Sequence, residues 1–299
     1  MPPVQVRGEV LTRKKVGDYH QITLVAPGIA ESARPGHFIA LAVGDETSGL
    51  LLRRAFAILS ATPSGVYGGT VRIVVAEHGA GTRWLCRVQP GDPIDVVGPL
   101  GRPFRVPARP VPAVLVGGGY GTAPLLGLAE ALRGRGCRVD FVLGAATAGR
   151  LFGELEAKRG STSMEVTTVD GSAGREGLVT DVLGEVIERA GSAVVYACGP
   201  MGMLQACGGV AESYGLPCQV AVEESMACGI GVCMTCVLPV IGEDNVTRMV
   251  RSCVEGPIFD ATKVRWDDVG TVPPDVLGAS AMALSEEVSR TTVRADPHE

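Results

Sequence analysis

The sequence predicts a chain of mixed β and α/β structure, with an N-terminal β-barrel, a doubly wound parallel-sheet domain and a C-terminal cysteine-rich module. Three observations lead to this prediction. Short apolar runs between turn residues fill positions 1–107, β and α patterns alternate over 108–222, and cysteines cluster beyond 223. Evenly spaced short strands are typical of barrels or sandwiches, and β–α alternation is typical of parallel sheets. We therefore expect domains at 1–107, 108–222 and 223–266, followed by a loosely packed or disordered tail at 267–299.

The N-terminal region contains six candidate strands, separated by turn signals such as Pro35-Gly36 and Pro90-Gly91. A short helix is expected at Gly79–Val88, and the Pro/Gly-rich stretch after Gly98 indicates a linker. The strands are expected at Val4–Leu11, His20–Ala26, His37–Val43, Arg54–Ser60, Thr70–Glu77 and Ile94–Val97.

The second region begins with Ala113–Val116, a continuous apolar run typical of a strand buried on both faces. A glycine turn follows it, and helices then alternate with strands. The helices are expected at Ala123–Gly134, Val179–Ala190 and Met201–Tyr214, and the further strands at Arg138–Leu143, Met164–Val169, Ala193–Ala197 and Gln219–Val222. This alternation predicts a doubly wound sheet.

Composition restricts the class of protein. The formal net charge of −5, without a basic block, and the 4% aromatic content argue against a nucleic-acid-binding surface. Nine cysteines and an N-terminus without a secretory signal predict a reducing, cytoplasmic environment. The apolar run 226–242 is short and contains three cysteines and Pro239, so we predict no membrane span.

The most specific motif is a set of four cysteines. Cys228, Cys233 and Cys236 have the C-x4-C-x2-C spacing of plant-type 2Fe-2S sites, and Cys253 supplies a fourth thiolate. Two bridged irons need two thiolates each. Structural zinc sites usually use two C-x2-C pairs, and this chain has only one such pair in the region. The spacing therefore favours an iron–sulfur cluster and leaves zinc as the alternative.

Two glycine-rich turns follow strands of the predicted parallel sheet. They contain Gly117, Gly118, Gly119 and Gly121 in the first turn, and Cys198, Gly199 and Pro200 in the second. Ligands of open α/β sheets bind at the carboxyl ends of strands, where helix N-termini stabilise phosphate charge. We expect a nucleotide crevice there. The simpler alternatives are a tight packing turn for the glycines and a small buried hydrophobe for Cys198.

Polar residues elsewhere give weaker signals. Arg53 and Arg54 lie on a predicted barrel strand, where paired arginines are most simply solvated. The turn before the short helix, His78 to Arg83, is either a phosphate cradle or an ordinary loop. Glu223 and Glu224 are expected to form a solvated edge. No arrangement of side chains predicts acid–base catalysis.

Together, these motifs resemble the electron-transfer subunit of class 1B dihydroorotate dehydrogenase, within the ferredoxin–NADP reductase superfamily. The resemblance covers about residues 4–262 and is most specific at E-E-S-M-A-C-G-I-G-V-C-M-T-C (223–236) and R-S-C-V-E-G-P-I-F-D-A (251–261). Supporting segments are P-G-H-F at 35–38, G-P-L-G at 98–101, G-G-G-Y-G-T-A-P at 117–124 and C-G-P-M at 198–201.

The resemblance implies an FAD-binding barrel, an NAD-binding α/β domain and a 2Fe-2S module ligated by the four cysteines. Arg54, Phe56 and Ala57 match the family's flavin strand, where Arg54 would neutralise the FAD pyrophosphate and Phe56 would lie against the flavin. Gly81 and Thr82 match its phosphate turn. The turns at 117–121 and 198–200 would hold the nicotinamide nucleotide.

The chain departs from the family pattern at two positions of the flavin strand. Ala55 stands where proline is usual, and Ala57 stands where serine or threonine is usual. The missing hydroxyl removes a hydrogen bond expected near the flavin, worth about 0.5–1.5 kcal/mol. In the loop 144–150, Arg150 is the only basic residue, which favours NADH over NADPH.

The resemblance also implies a partner, the FMN-containing catalytic subunit that oxidises dihydroorotate to orotate in pyrimidine biosynthesis, in a heterotetramer. Electrons would pass from FMN through the 2Fe-2S cluster and FAD to NAD+, and the exposed part of the cysteine module would be the docking face. One alternative is the small subunit of another NAD(P)H-dependent iron–sulfur flavoprotein, of the ferredoxin–NADP oxidoreductase or sulfide dehydrogenase type. Another is a non-enzymatic redox sensor or zinc-binding protein.

Overall fold

A closed barrel of six antiparallel strands forms the N-terminal part of the fold. The computed structural model describes residues 2–45 and 47–279. The barrel elements are β1 (Val4–Val16), β2 (Tyr19–Val25), β3 (Phe38–Leu41), β4 (Arg54–Thr62), β5 (Thr70–Ala76), the helix α1 (Ala80–Leu85) and β6 (Pro93–Leu100). The strand order is β1-β2-β5-β4-β3-β6, and pairing of β1 with β6 closes the barrel. Side chains such as Ile22, Leu24 and Ile73 fill its interior and are fully buried.

Strand β1 is longer than the sequence predicts. The expected strand ends at Leu11, whereas the observed strand continues to Val16 and pairs with β2 through a turn at Gly17. Lys14 and Lys15 in this extension are exposed. Because this ribbon projects charged side chains into solvent, it lacks the apolar alternation from which a strand is recognised.

The second part is a seven-stranded sheet with helices on both faces. Its elements, with the hairpin that follows, are β7 (Ala113–Gly118), α2 (Ala123–Gly134), β8 (Val139–Ala145), α3 (Glu154–Gly160), β9 (Ser163–Thr168), β10 (Arg175–Glu176), α4 (Thr180–Ala190), β11 (Val194–Cys198), α5 (Met201–Ser213), β12 (Cys218–Ala221), β13 (Val237–Ile241), β14 (Thr247–Arg251) and β15 (Ile258–Asp260). The sheet order is β10-β9-β8-β7-β11-β12-β15. All neighbours are parallel except β15, which pairs antiparallel with β12.

The sheet is buried on both faces, as the apolar run of β7 predicts. Val114 and Val116 pack into one core with α4 and α5, while Ala113 and Leu115 pack into another with α2. Strand order reverses at β7, since β8 and β9 extend to one side and β11 and β12 to the other. The predicted doubly wound fold is therefore confirmed, and its ligand crevice is expected at the β7–β11 junction.

The C-terminal segment belongs partly to the cysteine module and partly to the sheet. Strands β13 and β14 form a two-stranded hairpin, whereas β15 joins the edge of the α/β sheet. Beyond it, Arg265 pairs with Asp275 at 2.7 Å and the amide of Leu277 donates to the Thr247 carbonyl at 2.9 Å. The predicted tail at 267–299 is thus anchored as far as these contacts extend, and positions 280–299 lie outside the described residues.

Within the described parts of the chain, no helix combines the length and the apolar character needed to cross a bilayer.

Candidate functional site

The two predicted glycine turns meet at the carboxyl ends of β7 and β11. Gly117 is the Cα partner of Cys198 across the two strands. A Cβ atom on Gly121 would lie 2.6 Å from the Cys198 carbonyl oxygen, and one on Gly199 would lie 3.0 Å from the Cα of Gly118. The backbones of the two turns are therefore in contact and leave no space for a side chain at these positions. Glycine allows this close packing, and the packing brings both turns to one crevice.

A cavity of about 530 Å³ opens at this junction. Gly118 and Gly119 line one side of it, Pro200 and Met203 a second side, and Arg150 a third. Cavities of this size are typical of small-ligand sites. The sequence predicts a nucleotide at this edge of the sheet, and the cavity lies there.

A second cavity, of about 160 Å³, lies between the barrel, the α/β sheet and the segment that leads to the cysteines. Ala55, Phe56 and Ala57 of β4 line it from the barrel side. Gly121 and Met226 line it from the other two parts of the chain. Residues of the predicted flavin strand therefore face a pocket that all three parts of the fold build together.

The two neighbouring arginines at the start of β4 have different partners. Arg53 forms an ion pair with Asp95 at 2.8 Å. Arg54 donates to the Leu52 carbonyl at 2.7 Å, and no acidic side chain pairs with it within the described residues. A Cβ atom on Gly81 would lie 2.9 Å from Nε of Arg54, so the predicted phosphate turn adjoins this guanidinium. The pair is therefore not simply solvated, because Arg53 is held by Asp95 and Arg54 by a backbone carbonyl beside Gly81.

The predicted phosphate turn forms the N-terminal end of α1, where the Thr82 hydroxyl holds it. Oγ1 of Thr82 accepts hydrogen bonds from the amides of His78 and Gly79, at 2.9 and 3.0 Å. It also donates to the Gly79 carbonyl at 3.1 Å. Thr82 thus shapes the turn through its side chain, while Gly81 leaves space beside Arg54.

Tyr120 and Glu223 line both cavities. The Tyr120 hydroxyl donates a short hydrogen bond to the Glu223 carboxylate. Burial and this carboxylate raise the pKa of Tyr120 above its usual range. Burial, with a smaller contribution from Glu223, also raises the pKa of Cys198 to about 12, so the thiol is neutral at pH 7. The sequence motifs do not identify Tyr120, whereas Glu223 is exposed, as expected of a solvated edge, and also lines both cavities. The sequence signal for Tyr120 is its position between Gly119 and Gly121, in the glycine turn that is predicted to bind the nucleotide.

The four cysteines lie in two pairs. The amides of Val232 and Cys233 donate to Sγ of Cys228 at 3.3 and 3.5 Å, which places Cys228 beside Cys233. Cys236 and Cys253 adjoin each other, and each is only 2% exposed. Among the described residues, no group of three or more His, Cys, Asp or Glu side chains is arranged around a single metal position.

The pairs differ in acidity because their surroundings differ. The Thr235 hydroxyl donates to Sγ of Cys233 at 3.1 Å, and this bond, with the Thr235 amide and Cys228, lowers the pKa of Cys233 to about 6. Burial and the adjacent Cys236 raise the pKa of Cys253 to about 12. The thiolate therefore forms more readily at Cys233 than at Cys253.

Side chains outside the cysteine spacing motif connect the cysteine loop to β14 and the residues that follow it. Arg251 donates to the Gly231 carbonyl at 2.9 Å and forms an ion pair with Glu255 at 2.9 Å. The Ser252 hydroxyl donates to the Cys236 carbonyl at 2.8 Å. These bonds position three cysteines of the loop relative to Cys253.

A thin apolar layer separates the second cavity from the buried cysteine pair. Phe38 packs with Cys236 and Cys253 in one buried cluster, against which Ala55 and Met226 also pack. These three side chains line the second cavity as well. The order in space is therefore crevice, Tyr120 and Glu223, second cavity, apolar layer and thiols.

Two family models and several curated relatives match this chain. The family model for the iron–sulfur cluster binding domain of dihydroorotate dehydrogenase B matches residues 223–265, and that for the oxidoreductase NAD-binding domain matches 115–208. The electron transfer subunit of dihydroorotate dehydrogenase B (NAD(+)) from Geobacillus thermodenitrificans is 40% identical over 82% of this chain and 92% of its own length. That from Listeria monocytogenes serotype 4b is 36% identical over 87% and 99%.

Solved structures show the same architecture. The NADH-dependent reduced ferredoxin-NADP oxidoreductase superimposes with a TM-score of 0.77 and 28% identity, covering 95% of this chain and 98% of that one. The identity and coverage of the curated relatives confirm the resemblance predicted from the motifs. The chain belongs to the family of electron transfer subunits of dihydroorotate dehydrogenase B.

Proposed function

We propose that this chain relays electrons between NAD and the FMN of a dihydroorotate dehydrogenase catalytic subunit, through FAD and a 2Fe-2S cluster, in pyrimidine biosynthesis. The observation that carries the proposal is the apolar layer of Phe38, Ala55 and Met226, which the second cavity and the cysteine pair share. A flavin in that cavity would be within a side chain's width of the cluster. Bound FAD exchanges a hydride with NAD and single electrons with iron, which links the two kinds of carrier.

In this proposal, the barrel binds FAD. Arg54, which lacks an acidic partner among the described residues, neutralises the pyrophosphate. Gly81 allows the phosphates to approach Arg54, and Thr82 holds the turn. Phe56 and Ala57 face the flavin in the second cavity. NAD occupies the larger crevice between the turns at 117–121 and 198–200.

The four cysteines ligate the cluster in their observed pairs, Cys228 with Cys233 and Cys236 with Cys253. Two thiolates for each iron is the requirement of a 2Fe-2S site. The amides that already donate to Cys228 would stabilise its thiolate, and Thr235 would do the same for Cys233.

The proposed partner docks on the exposed part of the cysteine loop, and the complex is a heterotetramer in the cytoplasm. Ile230, Val232 and Met234, all within a stretch of five positions of the cysteine loop, are 54%, 75% and 51% exposed, and exposed apolar residues of this kind are typical of interaction sites. The name of the relatives, an electron transfer subunit, supports a catalytic partner. Nine free cysteines support a reducing compartment.

An anaerobic NADH titration of the purified chain tests the relay. We expect bleaching of a flavin band near roughly 450 nm and a rhombic S = 1/2 EPR signal at low temperature. Cys228→Ser should lose the EPR signal and keep flavin bleaching. A colourless protein that holds zinc and does not respond to NADH would contradict the relay and support the zinc-binding alternative.

A second candidate is a subunit of a different NAD(P)H-dependent iron–sulfur flavoprotein. The similarity to the ferredoxin-NADP oxidoreductase structure over 95% of this chain favours it. Mixing the chain with an FMN-containing dihydroorotate dehydrogenase subunit separates the two candidates. Dihydroorotate-dependent reduction of NAD+ by the mixture supports the first, and its absence in a stable complex supports the second.

A further inference from the structure

The nucleotide crevice has a single basic side chain in its walls. Of the residues that the structure describes around this cavity, Arg150 alone is cationic and Glu223 alone is acidic. Glu223 accepts the hydrogen bond from Tyr120, whereas no carboxylate lies within ion-pair distance of Arg150 anywhere in the described part of the chain. The guanidinium of Arg150 is therefore available to an anionic ligand in the crevice.

Arg150 lies directly beside the glycine turn that follows β7. A Cβ atom on Gly119 would lie 3.5 Å from the Arg150 carbonyl oxygen and 3.2 Å from the Tyr19 hydroxyl. Gly119 has a positive φ of 54°, so a side chain at this position would also be strained. The turn leads into the N-terminus of α2, and helix N-termini favour phosphate groups. Arg150 thus adjoins the part of the crevice that is best suited to the phosphates of a dinucleotide.

The barrel holds the loop that carries Arg150. The Tyr19 hydroxyl donates to the Arg150 carbonyl at 2.9 Å, and the amide of Asp18 donates to the Gly149 carbonyl at 3.2 Å. Tyr19 is 5% exposed, and its ring packs edge-to-face with Phe152 at a centroid distance of 6.0 Å. Both bonds come from the hairpin of β1 and β2, so a barrel element determines where a loop of the α/β domain lies.

The guanidinium of Arg150 is close to the hydroxyl that holds its own backbone. Burial raises the pKa of Tyr19, and the positive charge of Arg150 opposes that rise. The other side of the loop is also held, because the Ala148 amide donates to the Ser172 hydroxyl at 2.8 Å. A loop that is already held in place loses little conformational entropy when a ligand binds.

We propose that Arg150 binds the pyrophosphate of the dinucleotide and that Tyr19 of the barrel positions Arg150 for this contact. This inference rests on the proposed function, because it assumes NAD in the crevice. Arg150 supplies the positive charge that both glycine turns lack, and charge-assisted hydrogen bonds to phosphate are among the stronger polar contacts. Because NAD+ and NADP+ share the pyrophosphate, Arg150 contributes equally to the binding of both.

Calorimetric titration of the full-length, FAD-loaded protein tests the role of Arg150. We expect Arg150→Gln to raise the Kd for NAD+ roughly 10-fold, because a hydrogen bond to a charged group contributes more than a neutral one. ADP-ribose, which retains the pyrophosphate, and NADP+ should lose affinity by the same factor. Arg150→Lys keeps the charge and should bring the Kd for NAD+ to within about threefold of the wild-type value.

A double-mutant cycle tests the positioning role of Tyr19. Tyr19→Phe keeps the ring and removes the bond to the Arg150 carbonyl, and it should raise the Kd for NAD+ about 2- to 5-fold. In the Arg150→Gln background, the same change should add less than about 1.5-fold, since no guanidinium is left to position. A merely structural role of Tyr19 would give the same effect in both backgrounds.

Arg135→Gln is a matched control. Arg135 is an exposed arginine of the same domain, donates to the Pro107 carbonyl at 3.1 Å and lines neither cavity. It removes the same charge from the chain and should leave the Kd values for all three nucleotides unchanged.

Three results would overturn the inference. An unchanged Kd for NAD+ in Arg150→Gln would mean that the guanidinium does not contact the nucleotide. A larger loss for NADP+ than for NAD+ would place Arg150 at the 2′-phosphate, and equal effects of Tyr19→Phe with and without Arg150 would mean that Tyr19 acts on its own. Wild-type protein that binds neither FAD nor NAD+ would instead refute the proposed function, so the two failures are distinct.

Discussion

At the scale of single residues, Ala57 is where this chain departs most directly from the flavin strand of its family. It lines the second cavity and presents only a methyl group there. We predict that Ala57→Ser strengthens FAD binding by about 2- to 10-fold, because a new hydroxyl can supply a hydrogen bond worth about 0.5–1.5 kcal/mol. Quenching of FAD fluorescence during titration of flavin-free protein measures this.

Ala57→Val provides the control, since it adds bulk to the same position without a hydroxyl. It should leave FAD affinity unchanged or reduce it. If valine and serine strengthened binding equally, the effect would come from packing, and the missing hydrogen bond would have no role.

Single residues also show what a sequence can and cannot predict about the site. Three cysteines of the loop are recognisable because ligand spacing is a local property of the chain. The bond between Tyr120 and Glu223 joins residues that are 103 positions apart. No local pattern encodes that distance, because it depends on how the turn after β7 and the segment after β12 pack in three dimensions.

At the scale of elements, the contact between the two glycine turns determines the shape of the crevice. We predict that Gly121→Ala lowers the free energy of unfolding by about 1–3 kcal/mol, since its Cβ atom would lie 2.6 Å from the backbone oxygen of Cys198. Separation of the turns should also weaken NAD+ binding. Urea unfolding and calorimetry measure the two effects.

Gly209→Ala is the corresponding control. Gly209 lies in α5, and a Cβ atom there would have no neighbour within 4 Å. Alanine should stabilise the helix by up to about 1 kcal/mol and leave NAD+ binding unchanged. If Gly121→Ala were equally harmless, the two turns would be able to separate without a loss of stability or of NAD+ binding.

The sequence does not predict five elements of the second part of the fold, and two of them lack apolar periodicity. Helix α3 buries only Ala157, so its sequence has no amphipathic repeat, and strand β10 has two residues, both exposed. The other three are short strands of five residues or fewer, namely β13, β14 and β15. By contrast, β7 and α4 bury several apolar side chains each, and the sequence predicts both correctly.

At the scale of the whole molecule, the sequence predicts the fold class, but it does not predict how the barrel, the sheet and the cysteine module pack against one another. The barrel, the sheet and the cysteine module each have a local signature. The second cavity has none, because β4, the turn after β7 and the segment around Met226 build it jointly. A relay needs its carriers at such junctions, so the function depends on contacts between regions that are remote in sequence.

Cysteines within one cluster site should differ in their effect on the flavin pocket. Cys233 is exposed, whereas Cys236 is 2% exposed and packs against the apolar layer that borders the second cavity. Cys233→Ser and Cys236→Ser should both reduce the iron content, since each removes a thiolate. Only Cys236→Ser also buries a hydroxyl against that layer, at a cost of about 1–3 kcal/mol when it is unpaired. Its FAD affinity should therefore fall several-fold below that of Cys233→Ser. Iron analysis and FAD titration of the two variants measure the iron content and the FAD affinity. Equal FAD affinities would mean that a substitution at the buried thiol does not affect the flavin pocket.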